Sequence, residues 1–509
     1  MQDVLKSRFL DISEEGKKIL NIASLFFDEI NIDILRNITG KDELELMDII
    51  EELEHRFILK DVTEGETITF KFTHQKLREF VYLKQSEGRK KILHNKIAKL
   101  LEKTLKNNKG DINIYHKLIY HYTNGGNDIE ALNYKIKSLN YYLNFSHELF
   151  PIVKGQEIDG CNTAYFSKKQ TITSLKDIEK LLKEVKKKEE NSEKIKEIEI
   201  AFLHMQGRYL IREGDYEEGT RNIQTMIEKA LEIGDRDYAL EGYKQIIYYC
   251  IQTNNTEVMM KYVTLALNLA VECNYHKETG ILLRLKGLYK IMCGEYKEAE
   301  ELLNESISIF NITKEVADKY SLNIAAAYNY IGEIRRFNRQ FSQAATYYDK
   351  AIAICEDKKA LSSLSVFNIN AGQAAFEMGD YEKSKYHFEK AYNLYRQYDS
   401  IWRRSVVEAF MALLCVKEEK YHESLKYLKS ADMHSQKIKN PHEVGMVYRV
   451  KAEIRITMED NEKLRKVFSR YLDKDIDHYC EEGIRFLKTS RDNYEIEVIN
   501  IMRKNYMNL

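Results

Sequence analysis

The sequence predicts an all-α fold: a solenoid of about seven stacked helix pairs of ~40 residues each, preceded by a small module that contains one β-hairpin. Composition, a recurrent spacing and a change of pattern near residue 105 predict it. With only 2 Pro and 22 Gly in 509 residues, 31% charged and 44% apolar, the chain suits long amphipathic helices and leaves little turn chemistry for a strand-rich fold.

The spacing carries most of the argument. Gly207, Ile247, Gly287, Gly332, Gly372, Ala412 and Ala452 are separated by 40, 40, 45, 40, 40 and 40 residues. Nine residues beyond each lies Tyr216, Thr256, Tyr296, Phe341, Tyr381, Tyr421 or Asn461. Three further come Gly219, Met259, Ala299, Ala344, Ser384, Ser424 or Leu464, and seven beyond those Met226, Ala266, Ser306, Ala351, Ala391, Ala431 or Tyr471. An antiparallel helix pair needs small side chains where its axes cross and an aromatic wedge at its turn. The strings GDY at 214–216, GEY at 294–296, RQF at 339–341, GDY at 379–381 and EKY at 419–421 put a Gly or polar breaker after the first helix (A) and open the second (B) on the aromatic.

Read as YIGEIRRFNRQFSQAATYYDKAI and NAGQAAFEMGDYEKSKYHFEKAY, these units resemble the tetratricopeptide repeat. That resemblance implies a right-handed superhelix over residues 200–475. Its usual period is about 34 residues, so 40 implies longer helices or connections. Units 2 and 7 lack the turn aromatic and are the weaker ones. Residues 476–509 read as capping helices, because a stack needs a terminal element with one polar face.

Residues 1–105 follow another pattern. Ser13 with Glu14 and Glu15 opens a helix that Ile19, Leu20, Ala23 and Leu25 to Phe27 continue. Further helices are expected over 32–38 and 42–55, and RFILKDVTEGETITFKF alternates around a Glu64-Gly65 turn as a hairpin. Three helices and a hairpin make a winged helix. Its third helix carries Asp42, Glu43, Glu45, Asp48, Glu51, Glu52 and Glu54 against Lys41, so it is expected not to contact nucleic acid directly.

The following string, FKFTHQKLREFVYLKQSEGRKKILHNKIAKLLE at 70–102, resembles the winged-helix end of bacterial STAND-type regulatory ATPases with tetratricopeptide sensors. The resemblance carries over Phe70, Phe72, His74, Leu77, Arg78, Glu79, Val81 and Tyr82, then Arg89, His94, Ala98, Leu101 and Glu102. It implies a nucleotide-diphosphate contact by His74 if a separate nucleotide-binding core protein is a partner, although Gln75 stands where related switches have Asp. Residues 106–199 read as a divergent helical pair, with Gly125 and Gly126 at its turn, and a charged linker helix over 181–199.

Chemistry is sparse. Gly16-Lys17 and Gly40-Lys41 lack the rest of a phosphate-binding loop, the 13 His form no metal-spaced pair, and no Ser or Cys nucleophile motif occurs. No enzyme activity, cofactor or metal is expected. The seven cysteines are widely spaced and odd in number, which points to reduced thiols and a cytoplasmic setting. Net charge is -1, and no run approaches the ~20 apolar residues of a membrane span, so no membrane partner is expected.

A superhelix lines its concave side with the A helices. Counting each unit from seven residues before its first small position, the second, fifth, ninth and twelfth sites should point inward. They include His204, Arg208, Lys244, Tyr248, Arg284, Asn329, Glu333, Arg336, Gln373, Arg449 and Glu453, a donor-rich set suited to an extended peptide or a helix. The function expected is a non-catalytic sensor or adaptor arm of a bacterial signal-transduction or transcription regulator. The alternative is a self-contained peptide receptor or scaffold without an ATPase partner.

Overall fold

The computed structural model describes residue 9 and residues 12–63, 68–106, 108–143, 168–189, 192–396, 402–489 and 492–507. The Glu64-Gly65 turn, Cys161 and the stretch 144–150 of the expected helical pair lie outside them. The described residues form 25 helices and one small sheet, divided into two units whose boundary follows Met205.

In the first unit, α1 (Glu14–Ala23), α2 (Ile32–Thr39) and α3 (Glu43–His55) are followed by β2 (Leu59–Asp61) and β3 (Thr69–Phe72). Ser13 caps α1 by accepting from Gly16 N, and Asp42 caps α3 by accepting from Glu45 N, as their positions in sequence suggest. Two expectations need correction. Helix α1 stops at Ala23, and the Leu25 and Phe26 amides close tight turns onto Ile22 and Ala23. The hairpin also gains a third strand, β1 (Ile30–Asn31), pairing with β3 in the order β1-β3-β2; two residues are too short to show alternation in a sequence.

Helices α4 (Gln75–Leu83) and α5 (Glu87–Glu102) follow, then α6 (Ile112–Gly125) and α7 (Asp128–Leu143), joined by a left-handed Gly126 at φ 71°. Arg78 donates to the Ser24 and Phe26 carbonyls, and Gln85 to Asn21 O and Ser24 Oγ, tying α4 back to the end of α1. The charged run 181–199 is not one linker helix. It breaks between α8 (Lys168–Lys188) and α9 (Glu193–Glu213), and Leu182, Val185, Ile195 and Ile198 are buried.

The second unit contains the repeats. Helix α9 supplies the first A helix, and α10 (Tyr216–Glu232) its B partner. The next pairs are α11 (Arg236–Thr253) with α12 (Thr256–Glu272) and α13 (His276–Met292) with α14 (Tyr296–Phe310). A six-residue α15 (Lys314–Lys319) follows and takes up the extra length of the 45-residue interval. Then come α16 (Ser321–Phe337) with α17 (Phe341–Asp357), α18 (Leu361–Glu377) with α19 (Tyr381–Tyr395), and α20 (Arg404–Lys417) with α21 (Tyr421–Ile438). The seventh A helix, α22 (Pro441–Thr457), packs against α24 (Ile476–Thr489) and not against the short α23 (Glu462–Phe468), which lies against α21, so unit 7 departs from the template in pairing as well as in sequence. Helices α24 (Ile476–Thr489) and α25 (Asn493–Met507) complete the described chain.

Packing explains the template. A Cβ on Gly207 would meet Ile223 Cδ1 at 2.7 Å, and one on Gly332 would meet Tyr348 Cε1 at 2.6 Å, so each glycine gives its B helix room to cross. Ser384 and Ser424 donate to the carbonyls of Gly372 and Ala412, fastening the same crossing. The turn aromatics pack as wedges, Tyr216 on Tyr249 and Tyr296 on Phe337, with ring centres 5.4 and 5.8 Å apart. A left-handed residue ends each of the first six A helices, whether Gly (Gly214, Gly294, Gly379) or not (Asn254, Arg339, Glu419), and the seventh, α22, ends at Met458 in the right-handed region.

One feature of the first unit responds to acid. His94 and His121 are both buried, Nδ1 to Nδ1 at 2.9 Å, with Tyr82 Oη 3.3 Å from His94 Nε2. Such a contact needs one ring to donate and the other to accept, so at least the accepting ring must be neutral, and the pair cannot take up two protons and keep it. Burial holds His94 down to about 4 and His121 to about 3. Because the unfolded chain takes up protons that the folded one refuses, their contribution is complete above about pH 6.5 and is lost as pH falls toward 4. Protection of the α5 and α6 amides against hydrogen exchange, taken relative to the intrinsic exchange rate at each pH, should therefore fall across that window. His121→Phe should flatten the response, and an unchanged profile would contradict this assignment.

Candidate ligand-binding site on the inner helices

Within the second unit, A helices line a cavity of about 150 Å³. Its apolar wall includes Ile251, Leu288, Ile291 and Val366, residues at the same inward template positions that single out the polar candidates. Phe337, Tyr296, Tyr330 and Trp402 add aromatic surface. Of the candidates, Asn329, Glu333 and Arg336 line this cavity together.

A polar network runs across its floor. Asn370 Nδ2 donates to Asn329 Oδ1 at 2.9 Å and to Glu333 Oε1 at 3.2 Å. Arg403 lies 3.6 Å from Glu333 and donates to Gln373 Oε1 at 3.4 Å. Arg403 holds a left-handed backbone, φ 60°, that costs a non-Gly residue conformational energy. Its amide donates to Glu443 Oε1 at 2.8 Å, and Ser405 Oγ donates to Glu443 Oε2, which anchors the strained turn. Burial pushes the Glu443 carboxyl above the usual range, against the pull of those two donors.

The remaining candidates are dispersed. Gln373 adjoins the cavity through Arg403, and Lys244 is held between Glu241 and Glu278 at 2.5 and 2.8 Å. Tyr248 is buried, while Arg208 is half-buried on α9. His204, also half-buried on α9, falls in the first unit. Arg284 is 1% exposed beneath α16, its guanidinium 5.9 Å from the Tyr330 ring centre, with Nε and Nη1 unpartnered. Arg336 and Arg449 do not face an open groove: both are 2% exposed and converge on Glu495 of α25. Glu377 also accepts from Arg449, at 3.0 Å, and burial raises the carboxyl of nearby Glu453. His74 stands exposed at the start of α4, and its side chain does not cap that helix.

Sequence reasoning missed Arg403, Glu443, His442, Asp492 and Glu495. Asp492 accepts from Glu495 N, capping α25, and pairs with His442 at 3.1 Å; burial, the largest single influence, pushes its carboxyl up, but the His442 bond, the His442 and Arg336 charges and the Glu495 amide together hold it low. The Asp492–Glu495 spacing is a capping signal legible in sequence, but the partners of Glu495 come from 159 and 46 residues away. Unit 6 supplied no candidate because its inward sites are Val406, Ala409, Leu413 and Val416.

The cavity can hold an apolar or aromatic group and satisfy acceptors. Nε of Arg336, Nε of Arg403 and Nε2 of Gln373 are buried without a hydrogen-bond partner, and each such donor costs about 1–3 kcal/mol until an acceptor arrives. Among the described residues, no group of three or more His, Cys, Asp or Glu could hold a metal ion.

The two buried arginines outside the cavity should respond oppositely to substitution. Arg284→Met removes a largely unpartnered charge and is expected to leave unfolding free energy unchanged or to raise it. Arg449→Met takes the Arg449 bond from Glu377 and leaves buried Glu495 with Arg336 alone, and should cost about 3–5 kcal/mol. Urea unfolding of both variants checks this, and equal losses would contradict the pairing described.

No protein-family model matches the chain, and no curated protein sequence matches it. Solved structures do. The Signal Transduction ATPase with Numerous Domains (STAND) protein with a tetratricopeptide repeat sensor from Pyrococcus horikoshii aligns over 97% of this chain and 65% of its own, at 14% identity and a TM-score of 0.52. The chain thus spans just under two thirds of that protein's length. Aspartyl phosphate phosphatase F from Bacillus subtilis aligns over 78% of this chain and 95% of its own, at 14% identity and a TM-score of 0.46. The apo form of the quorum sensor NprR from B. thuringiensis covers 66% and 96%, at 14% and 0.40. The chain is a tetratricopeptide-like helical solenoid whose fold resembles that of the STAND protein with its repeat sensor.

Proposed function

We propose that this chain is a non-catalytic receptor for a peptide or protein segment, bound on the inner helices of the repeats, and that it serves as the sensor arm of a signal-transduction or transcription regulator. The observation that carries the reading is the cavity of about 150 Å³, whose aromatic wall surrounds buried, unpartnered Arg336 and Arg403 donors. Side chains of this kind hold extended peptides by alternating apolar pockets with hydrogen bonds.

In this reading the first unit is a winged-helix relay. Exposed His74 at the start of α4 is free of a capping role and would meet the nucleotide of a separate nucleotide-binding core protein. Glu43, Glu45, Asp48 and Glu51 on α3 are exposed, which supports a protein partner over nucleic acid for that face. The buried free thiols of Cys250, Cys355, Cys415 and Cys480 support a reducing cytoplasm, and burial raises each of them.

Panning a displayed random-peptide library on the full chain, followed by anisotropy titration of the selected peptides, tests this. Asn329→Ala and Arg403→Ala are each expected to weaken binding at least tenfold, about 1.4 kcal/mol. Selected peptides that bind both variants as tightly as the parent would place the site elsewhere and overturn the reading.

A further inference from the structure

The inner face already holds part of its own chain. Glu495, in the first turn of α25, is fully buried, and its carboxylate is shared: Arg336 Nη1 from α16 donates to Oε1 at 3.0 Å, and Arg449 Nη1 from α22 donates to Oε2. Tyr494 beside it lies under the Arg336 guanidinium, 5.1 Å from its ring centre, and 6.0 Å from the Phe337 ring. An adjacent aromatic and carboxylate thus span the fourth and seventh repeats, which is what a bound peptide segment would do.

Two further observations distinguish this contact from a permanent cap. The arginines offer more than Glu495 uses, since Nε of both Arg336 and Arg449 is buried without a partner. The rest of α25 is less deeply anchored than α24: beyond Tyr494 and Glu495 only Ile499 is buried, with Ile496, Met502 and Tyr506 half-buried against the core and Arg503 paired to Asp477, whereas α24 buries Ile476, Tyr479, Cys480, Gly483 and Leu487. Few buried apolar contacts place a helix at the low-stability end of a structure, where local opening is easiest. Asp492 and Glu497 pair with His442 and Arg339 at 3.1 and 3.0 Å, so this turn is acidic wherever it meets the repeats.

We propose that the first turn of α25 is a displaceable internal occupant of the inner face, and that this face takes an acidic peptide segment offering a carboxylate and a neighbouring aromatic to Arg336 and Arg449 in place of Glu495 and Tyr494. The proposal rests on the peptide-receptor reading and names the chemistry of its ligand. Binding of such a segment frees α25, so occupancy between the repeats becomes a change at the last helix.

The test uses the full chain and a fluorescein-labelled peptide of residues 492–507 as the probe. In the unaltered protein the tethered copy wins by effective concentration. The double variant Tyr494→Ala/Glu495→Gln weakens that copy and leaves both arginines in place. The probe should bind the double variant at least tenfold more tightly than the parent, and a probe carrying Glu495→Gln should lose that gain. Hydrogen exchange should show α25 opening while α24 stays protected; if α24 is also lost, Ile499→Ala, which loosens α25 without touching the clamp, should give the same gain. If library-selected peptides bind the inner face but the probe gains nothing on either variant, the displaceable-occupant proposal is overturned and the receptor reading stands. If no peptide of any kind binds, both fall.

Discussion

The constraint on which the second unit depends is the close crossing of A and B helices at a small residue that recurs through the repeats, the second of which has Ile247 in its place. At Gly332 and Gly372 an added Cβ would stand 2.6 and 3.0 Å from the aromatic ring of the partner helix, Tyr348 or Phe388. Fixing that separation in every pair fixes the pitch of the stack. Pitch in turn decides which distant residues meet. Asn440 of the seventh repeat donates to the Gln252 carbonyl of the second, and Asn254 of the second to the Thr489 carbonyl at the end of α24. The same geometry brings Arg336 and Arg449 to opposite oxygens of one carboxylate.

The inner face is costly in ways the crossing alone does not require. Charges taken out of water must be repaid by paired hydrogen bonds, and a packed apolar core is often as stable or more so. Here Glu495 and Glu443 are buried and each is paired, while guanidinium nitrogens of Arg284, Arg336, Arg403 and Arg449 are left over. A positive φ at Arg403 adds backbone strain at the edge of the cavity. Departures from local rules concentrated on one face, in a chain whose helix crossings are otherwise regular, are the physical ground for reading that face as a binding surface.

Much of this was legible in the sequence because helix pairing imposes short-range, repeated demands. The first six helix pairs, the turn aromatics and the left-handed breakers at Gly214, Gly294 and Gly379 follow from spacing alone, whereas the seventh A helix takes α24 as its partner. Counting inward positions also found Asn329, Glu333 and Arg336, which share the cavity. What spacing cannot carry is closure. Whether Arg449 meets solvent or Glu495 depends on where a helix after the last repeat lies, and the capping signal at Asp492 is silent about it. The charged run at 181–199 misled for a related reason: helical periodicity at Leu182, Val185, Ile195 and Ile198 survives a turn between two antiparallel helices as well as it does one continuous helix.

The most direct measurement of the central claim is the equilibrium unfolding of Gly332→Val. Overpacking against Tyr348 is expected to lower the unfolding free energy by about 1–3 kcal/mol. Gly379→Ala, whose Cβ would meet open space at φ 78°, should cost only the ~1 kcal/mol of a left-handed alanine. A Gly332→Val protein as stable as the parent would mean that the crossing is not where the stack is set.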